Sequence, residues 1–490
     1  MTNADAIRDE PRNEPTIVIV GAGLAGLSAA LTLFSRGYPS MIYEARDRVG
    51  GRVYSKREGW ENGQVSEWGG ELIDSGHEHM LGLIEGFDLE LEDLVENERE
   101  DSLPRYYLNG LQYSEERAQQ DFKAVQQAAL ADMATFTWPV VYDSVNNESA
   151  IALSNMSLAT WIESRVPGGL KSQMGRLLAI AYTTEYGVPI EEQTALNLLG
   201  FLGFYEEEEL SLFGYSDERH RIKGGNQKLP EVIMACFPEE FAKFGHVLTK
   251  VEALGDETQL LTFDNGEVVK ADYTILALPS EIMKRIDFSE AKFDERKIGQ
   301  IQALKMGNSS KLNLQFRERF WDNESGDWNA ISNGDPYSDS GYQTTWDVSR
   351  EQSGDSGILN NYRGGTLSPS DTNSDIEPFL DEASPHVQRS VQDFLNQVES
   401  VYPGAKEHFN GRATLSSWIN NPFALGGYSY WPKGYCHKYL GYEGISQGRI
   451  HFAGEYCSLD YPGYMEGAVR EGYRAGLEVI LRIDVDSLDV

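Results

Sequence analysis

The chain has 490 residues, 40% of them hydrophobic, with 9 Trp and 25 Tyr, which excludes a disordered polymer and suits two or three folded domains. Its formal net charge is −35, from 42 basic against 77 acidic side chains, and this argues against nucleic-acid binding, which needs clustered Lys and Arg. Such a field favours a cationic small molecule, although solubility or adaptation to salt explains it more simply. Cys236, Cys436 and Cys457 have neither paired nor metal-type spacing, so no metal is expected and all three read as free thiols of a reducing cytoplasm. Residues 1–15 read as a flexible polar leader without a secretory core, and no apolar run is long enough to span a membrane. A cytoplasmic protein without membrane attachment is the resulting expectation.

In chain order, Thr16-Ile17-Val18-Ile19-Val20 is a short β-branched strand, and Gly21-Ala22-Gly23-Leu24-Ala25-Gly26 opens an Ala/Leu-rich helix. Three glycines at this spacing have separate uses. One makes the tight turn, one lets backbone approach a pyrophosphate, and one lets helix pack on strand. The helix N-terminus offers free N–H groups to phosphates. Glu44 ends the second strand, where a ribose-binding carboxylate is expected. A glycine-rich turn that binds nothing is the bland alternative. Acids dominate from 71 to 101, most of which reads as a solvated helical face, and Glu206-Glu207-Glu208-Glu209 reads as exposed charge. Residues 115–215 show helical spacing. The segments 247–252 and 273–279 read as strands, as do 311–316 and 358–362. A last strand ends at Glu455, and a helix starts at Tyr464 and runs to Arg474.

A second glycine turn, Glu44-Ala45-Arg46-Asp47-Arg48-Val49-Gly50-Gly51-Arg52, resembles the flavoprotein amine oxidase family, in which this extension wraps the FAD pyrophosphate. The resemblance continues at Trp68-Gly69-Gly70, Lys311, Phe452-Ala453-Gly454-Glu455 and Gly463-Tyr464-Met465-Glu466-Gly467-Ala468, in the family's order and over nearly the whole chain. It implies an α/β fold with mixed α+β character, in which a Rossmann-like FAD-binding domain and a mixed sheet-and-helix substrate domain are assembled from interleaved segments. The expected FAD domain comprises 16–78, 216–284 and 408–490, and the substrate domain 79–215 and 285–407. The implied cofactor contacts are Gly21, Gly23, Gly26, Glu44, Ala45, Arg46, Gly51, Arg52, Gly69, Gly70, Glu71, Val251 (backbone to adenine), Gly454, Glu455, Tyr464 and Met465. Glu455 and Glu466 could instead cap helices.

Lys311 matches the family lysine that holds a water beside flavin N5. A buried lysine needs a polar partner, and an edge-strand lysine reaching solvent is the alternative. Tyr428 and Tyr464 match the two walls of an aromatic cage, with Tyr430 as an alternative register for the first and Trp418 shaping the same pocket. Monoamine oxidases attach FAD through a cysteine near this segment. Gly426 or Gly427 stands there, which implies non-covalent FAD, with Cys436 the one residue that could upset this. One group of L-amino-acid oxidases holds the substrate carboxylate with an arginine where this chain has Ile73, and Arg363 could supply that clamp instead or be a surface turn arginine. Asp74, Glu185 and Asp347 are candidates for a cationic side chain. His77 and His79 read as core or solvated histidines rather than bases.

The implied function is oxidative deamination of L-amino acids, with basic or broad side chains, to 2-oxo acids, ammonia and hydrogen peroxide. Hydride passes from the substrate Cα to flavin N5, and oxygen is the acceptor. A biogenic-amine or polyamine oxidase is the alternative, followed by a flavin isomerase or desaturase and by a flavin-bound interaction scaffold. The partners are then a small amine or amino acid and oxygen, with no nucleic acid and no membrane, and a homodimer is left open.

Overall fold

The computed structural model describes residues 15–488 apart from 100, 146, 256, 324–327, 329, 330 and 369–375. Positions 1–14 of the expected leader therefore lie outside the described residues. The opening apolar run forms strand β1 (Ile17–Val20), buried along its length, followed by α1 (Leu24–Ser35) and β2 (Ser40–Glu44), which lies parallel to β1. Further landmarks are α2 (Glu78–Gly86), α3 (Gln173–Tyr186), β3 (Ser309–Phe316), β4 (Gly357–Gly364), α4 (Pro385–Val398) and α5 (Met465–Leu488).

One sheet has five parallel strands in the spatial order Ile450–Phe452, Tyr273–Leu276, β1, β2, Ala242–Phe244. Its central strands are apolar on both faces, as a sheet covered on both sides requires. The two helices α1 and α5 meet backbone to backbone on it, since a Cβ on Gly472 would lie 2.1 Å from the Ala25 carbonyl oxygen. In α/β sheets of this kind ligands bind beyond the carboxyl ends of the strands.

A second sheet has eight strands in the order Phe379–Asp381, Phe409–Ser417, β3, β4, Thr344–Asp347, Tyr337–Ser338, Tyr106–Leu108, Leu111–Tyr113. Phe409–Ser417 thus pairs with β3, so the chain leaves this sheet after Ser417, later than the expected boundary at 408. Strand alternation divides β3 cleanly. Leu312, Leu314 and Phe316 pack with Val387, Phe394 and Val398 of α4, so Lys311, Asn313 and Gln315 point to the opposite face. A helical cluster that includes Trp161, Leu177, Leu178, Tyr182 and Leu199 covers that region. The C-terminal end of α3 sits on the start of β3, where the Asn308 N–H donates to the Gly187 carbonyl at 2.8 Å.

α5 extends well past the expected end at Arg474. Among the described residues, no helix is long and apolar enough to cross a membrane.

Candidate active site

A cavity of about 940 Å³ opens beyond the carboxyl ends of β1 and β2 and continues along the free face of β3 and β4. This is at the upper end of the range for ligand pockets. Its first half is built by glycine turns. The Gly50 N–H donates to the Ala22 carbonyl at 2.8 Å, which lays the second glycine turn on the first. A Cβ on Gly26 would meet the Gly21 carbonyl oxygen at 1.9 Å, whereas one on Gly23 would meet nothing within 4 Å and point into open space. The first turn of α1 has neither a side-chain cap nor an acid, so its N–H groups remain free for an anion.

Glu44 accepts from the Ala22 N–H at 2.7 Å and the Arg46 N–H at 2.9 Å, which fixes this carboxylate at the cavity wall. Arg46 is held by Asn421 and lies 5.8 Å from the Trp418 ring and 5.6 Å from Phe423. Burial lowers its pKa from the ordinary guanidinium value. Arg52 pairs with Glu455 at 2.8 Å and donates to the Gly427 carbonyl at 2.9 Å. Glu455 also accepts from the Ser429 hydroxyl at 2.6 Å and the Gly463 N–H at 2.9 Å. This one buried carboxylate therefore ties together the segments carrying Tyr428 and Tyr464. Gly69, Gly70, Gly454, Ala45 and Met465 line the same half. The absence of a side chain at Gly70 makes room for Met465, whose sulfur would be 3.0 Å from a Cβ there.

The second half centres on Lys311. Its ammonium lies 2.5 Å from Glu71 Oε2, with side-chain exposures of 9% and 2%, and 5.3 Å from the Trp346 ring. The Trp346 indole N–H donates to the other Glu71 oxygen at 3.2 Å, and Arg221 stands 3.6 Å from that oxygen. The polar partner that a buried lysine requires is thus a carboxylate of the protein itself. Around this pair are Tyr362, the cross-strand neighbour of Lys311, and Tyr428, whose hydroxyls lie 2.9 Å apart. A Cβ on Gly463, beside Tyr464, would come within 3.3 Å of the Tyr428 ring, so both expected cage residues line one region. The His77 ring lies 5.3 Å from that of Tyr464 and is fully buried, with Nδ1 accepting from the Asp74 N–H at 3.0 Å.

This end is strongly acidic. Asp74, Glu185, Glu218, Asp335 and Asp347 all line it. Burial pushes the carboxyl of Glu185 up to about 7, Glu218 to about 8 and Asp335 to about 6. Arg350 shares this wall but is held by Asp335 at 3.3 Å and faces Glu98 at 3.9 Å.

Several residues expected at the site do not line it, Gly26 among them, which packs α1 against the Gly21 carbonyl instead. Arg363 follows Tyr362 on β4 and so points to the α4 side, near Asp393 and against Asn361. Ile73 is fully buried among Met80, Ile84 and Ile222 of another core. Val251 is likewise core, and the wall there is formed by His246 to Thr249, one turn of sequence earlier. Tyr430, the alternative cage residue, is buried beside Lys305 on a two-stranded ladder, away from the cavity wall. Trp418 lies by Arg46 and donates to the Trp68 carbonyl at 2.8 Å, at the glycine-turn end rather than beside the tyrosines. Glu466 caps α2, accepting from the Met80 N–H at 2.7 Å. Trp346, Tyr362, Glu218, Asp335 and Arg350 were not singled out from sequence. Only the alternation of β4 could have indicated Tyr362.

The sequence profile described as flavin containing amine oxidoreductase matches residues 24–480. The chain belongs to that family. Among curated relatives of this amine oxidoreductase, lysine-specific histone demethylase 1 homolog 2 of Oryza sativa subsp. japonica is 23% identical over 95% of the chain, which spans 57% of that protein's length. An L-amino-acid oxidase of Mus musculus is 26% identical over 94% of the chain and 70% of its own length. The fold is shared with cyclohexylamine oxidase from Brevibacterium oxydans IH-35A, at TM-score 0.79 and 20% identity over 96% of this chain and 100% of that one. Family membership implies a flavin cofactor, and the residues present suit one. An open helix N-terminus, stacked glycine turns and Arg46 and Arg52 fit a pyrophosphate, and Lys311 and the tyrosines stand at the other end of one continuous cavity.

Proposed function

We propose that this amine oxidoreductase is an oxidase that holds FAD non-covalently and deaminates a primary amine bearing a second cationic group. The observation that carries this is the acidic wall of Glu185, Glu218, Asp335 and Asp74 around the Tyr428–Tyr464 region. Carboxylates there attract and hold a cation, and aromatic faces add cation–π attraction. The positions expected to clamp a substrate carboxylate, Arg363 and Ile73, point elsewhere.

The glycine turns, the α1 N-terminus, Glu44, Arg46 and Arg52 would hold the dinucleotide, and the α5 N-terminus at Tyr464–Met465 would favour negative charge on the redox-active ring. The buried cysteines Cys436 and Cys457 are absent from the cavity wall, which supports non-covalent attachment. The chemistry that bound FAD supplies is removal of hydride from the amine-bearing carbon, with oxygen as final acceptor and a carbonyl compound, ammonia and hydrogen peroxide as products. Tyr428, with its hydroxyl tied to Tyr362, and Tyr464, backed by His77, orient the amine and exclude water. Lys311 and Glu71 form a fixed polar pair beside Trp346.

A second reading, a basic L-amino acid, is favoured by Arg350, the one guanidinium on the acidic stretch of wall among the described residues. A panel of diamines, monoamines and amino acids, mixed anaerobically with the FAD-loaded protein, tests these readings. Diamines should bleach the visible flavin band at the lowest concentration. Bleaching by amino acids alone would replace the first reading with the second, and no bleaching by any amine would refute both.

A further inference from the structure

An alkylamine with an ordinary pKa of about 10.4 is protonated in all but about one molecule in a thousand near neutral pH. Loss of hydride from its α-carbon requires the nitrogen lone pair, so the ammonium proton must leave within the cavity. A base is needed there, and most of the wall's carboxylates are already engaged. Glu71 pairs with Lys311 at 2.5 Å. Asp74 accepts from the Ser216 hydroxyl at 2.7 Å and the Glu218 N–H at 3.0 Å. Asp335 pairs with Arg350, and Asp347 accepts from the Ser349 hydroxyl at 2.6 Å. Glu218 is exposed.

Glu185 is different. It lies in the last turn of α3, which sits tightly on the second sheet, since a Cβ on Gly364 would meet the Thr183 carbonyl oxygen at 2.3 Å. Its carboxylate is half-buried on the cavity wall, and burial and the charge of Asp74 are the only influences on it, with no hydrogen bond or ion pair from the described residues. The titratable groups that feel it are Asp74 and Tyr464 beside His77, Glu218, Tyr337, Tyr362 and Tyr428 on the facing walls, and Tyr182 and Tyr186 on its own helix. It therefore acts on both cage tyrosines, Tyr428 and Tyr464.

We propose that Glu185 is the catalytic base that takes the proton from the incoming ammonium group. The N–H bond breaks, its electron pair stays on nitrogen, and the proton forms an O–H bond with the Glu185 carboxylate. No redox partner enters this step. Burial and the neighbouring charge of Asp74 push the carboxyl up to about 7, close to the operating pH at which a general base is most effective. This assignment rests on the reading of the substrate as an amine.

The test uses the FAD-loaded protein and tert-butylamine, which has no hydrogen on its α-carbon and cannot be oxidised. Calorimetric titration at pH 8 in buffers of different ionisation enthalpy counts the protons exchanged. Wild-type protein should exchange close to none, because the proton stays on Glu185, and Glu185→Gln should release about one proton per amine bound. Glu185→Asp, which keeps the carboxylate, should restore the wild-type count. Anaerobic reduction by a diamine should be about a hundredfold slower in Glu185→Gln at pH 7, within the usual range for loss of a general base. That gap should narrow about tenfold per pH unit as solution supplies neutral amine. An unchanged proton count, a gap constant with pH, or a change seen in Glu218→Gln instead would overturn the assignment. Wild-type flavin that no amine reduces would instead overturn the amine reading beneath it.

Discussion

The Lys311–Glu71 pair offers a quantitative test of how the second half of the site is built. Lys311→Met removes a cation 2.5 Å from a carboxylate whose side chain is 2% exposed, leaving that charge in a site closed to water. Breaking a buried pair in this way costs about 3–5 kcal/mol. Here the lower end applies, about 3 kcal/mol, because Glu71 retains Arg221 at 3.6 Å and the Trp346 N–H at 3.2 Å. Glu71→Gln leaves the buried Lys311 ammonium without its paired charge, beside the Trp346 ring at 5.3 Å, and should cost a similar amount. The double variant buries no lone charge from this pair, so its loss should fall short of the sum of the single losses by about 2–3 kcal/mol. Urea unfolding of the four FAD-loaded proteins, followed by circular dichroism, measures this coupling. Additivity within about 0.5 kcal/mol would show that the two groups do not interact and would refute the pairing.

Gly26→Ala places a methyl 1.9 Å from the Gly21 carbonyl oxygen, so α1 must retreat from β1, and FAD uptake followed by absorbance should be lost or weakened at least tenfold, by about 1.4 kcal/mol. Glu443 is 1% exposed and burial pushes its carboxyl up to about 7 from 4.5, so its stabilising contribution is complete below pH 4.5 and disappears as pH rises through 7. Glu443→Gln should accordingly gain on the order of 2–3 kcal/mol relative to wild type between pH 4.5 and 8, and a pH-independent difference in urea midpoint would contradict this. Arg363→Ala should leave KM unchanged for every amine, because the side chain faces α4, and Arg350→Ala should raise KM selectively for amino acids in steady-state assays.

What the sequence made legible was local. β1, α1 and β2 follow from an apolar run, three spaced glycines and a terminal acid within one short stretch, and each is encoded by its own residues. Lys311 was legible through the resemblance, since its strand alone also allowed an edge lysine reaching solvent, and no local pattern links it to its distant partner Glu71. Arg363 shows the limit most plainly. Moving one position along a strand reverses the face, so Tyr362 enters the cavity and Arg363 leaves it. The contact expected at Val251 is displaced along the same segment, whose cavity-lining residues are His246 to Thr249. The acidic wall draws Asp74, Glu185, Glu218 and Asp335 from four separate segments; Asp74 and Glu185 were candidates from sequence, as was Asp347, whereas Glu218 and Asp335 were not. Their convergence is a property of the packing of α3 against the second sheet, which only the folded chain displays.

The most direct measurement is a titration of the purified protein with FAD under anaerobic conditions, followed by addition of a diamine, with the visible spectrum recorded throughout. The flavin should be taken up stoichiometrically, be released on acid denaturation without residual colour on the polypeptide, and bleach when the amine is added. A protein that leaves FAD free in solution, or that holds it oxidised against every amine offered, would contradict the account at its root.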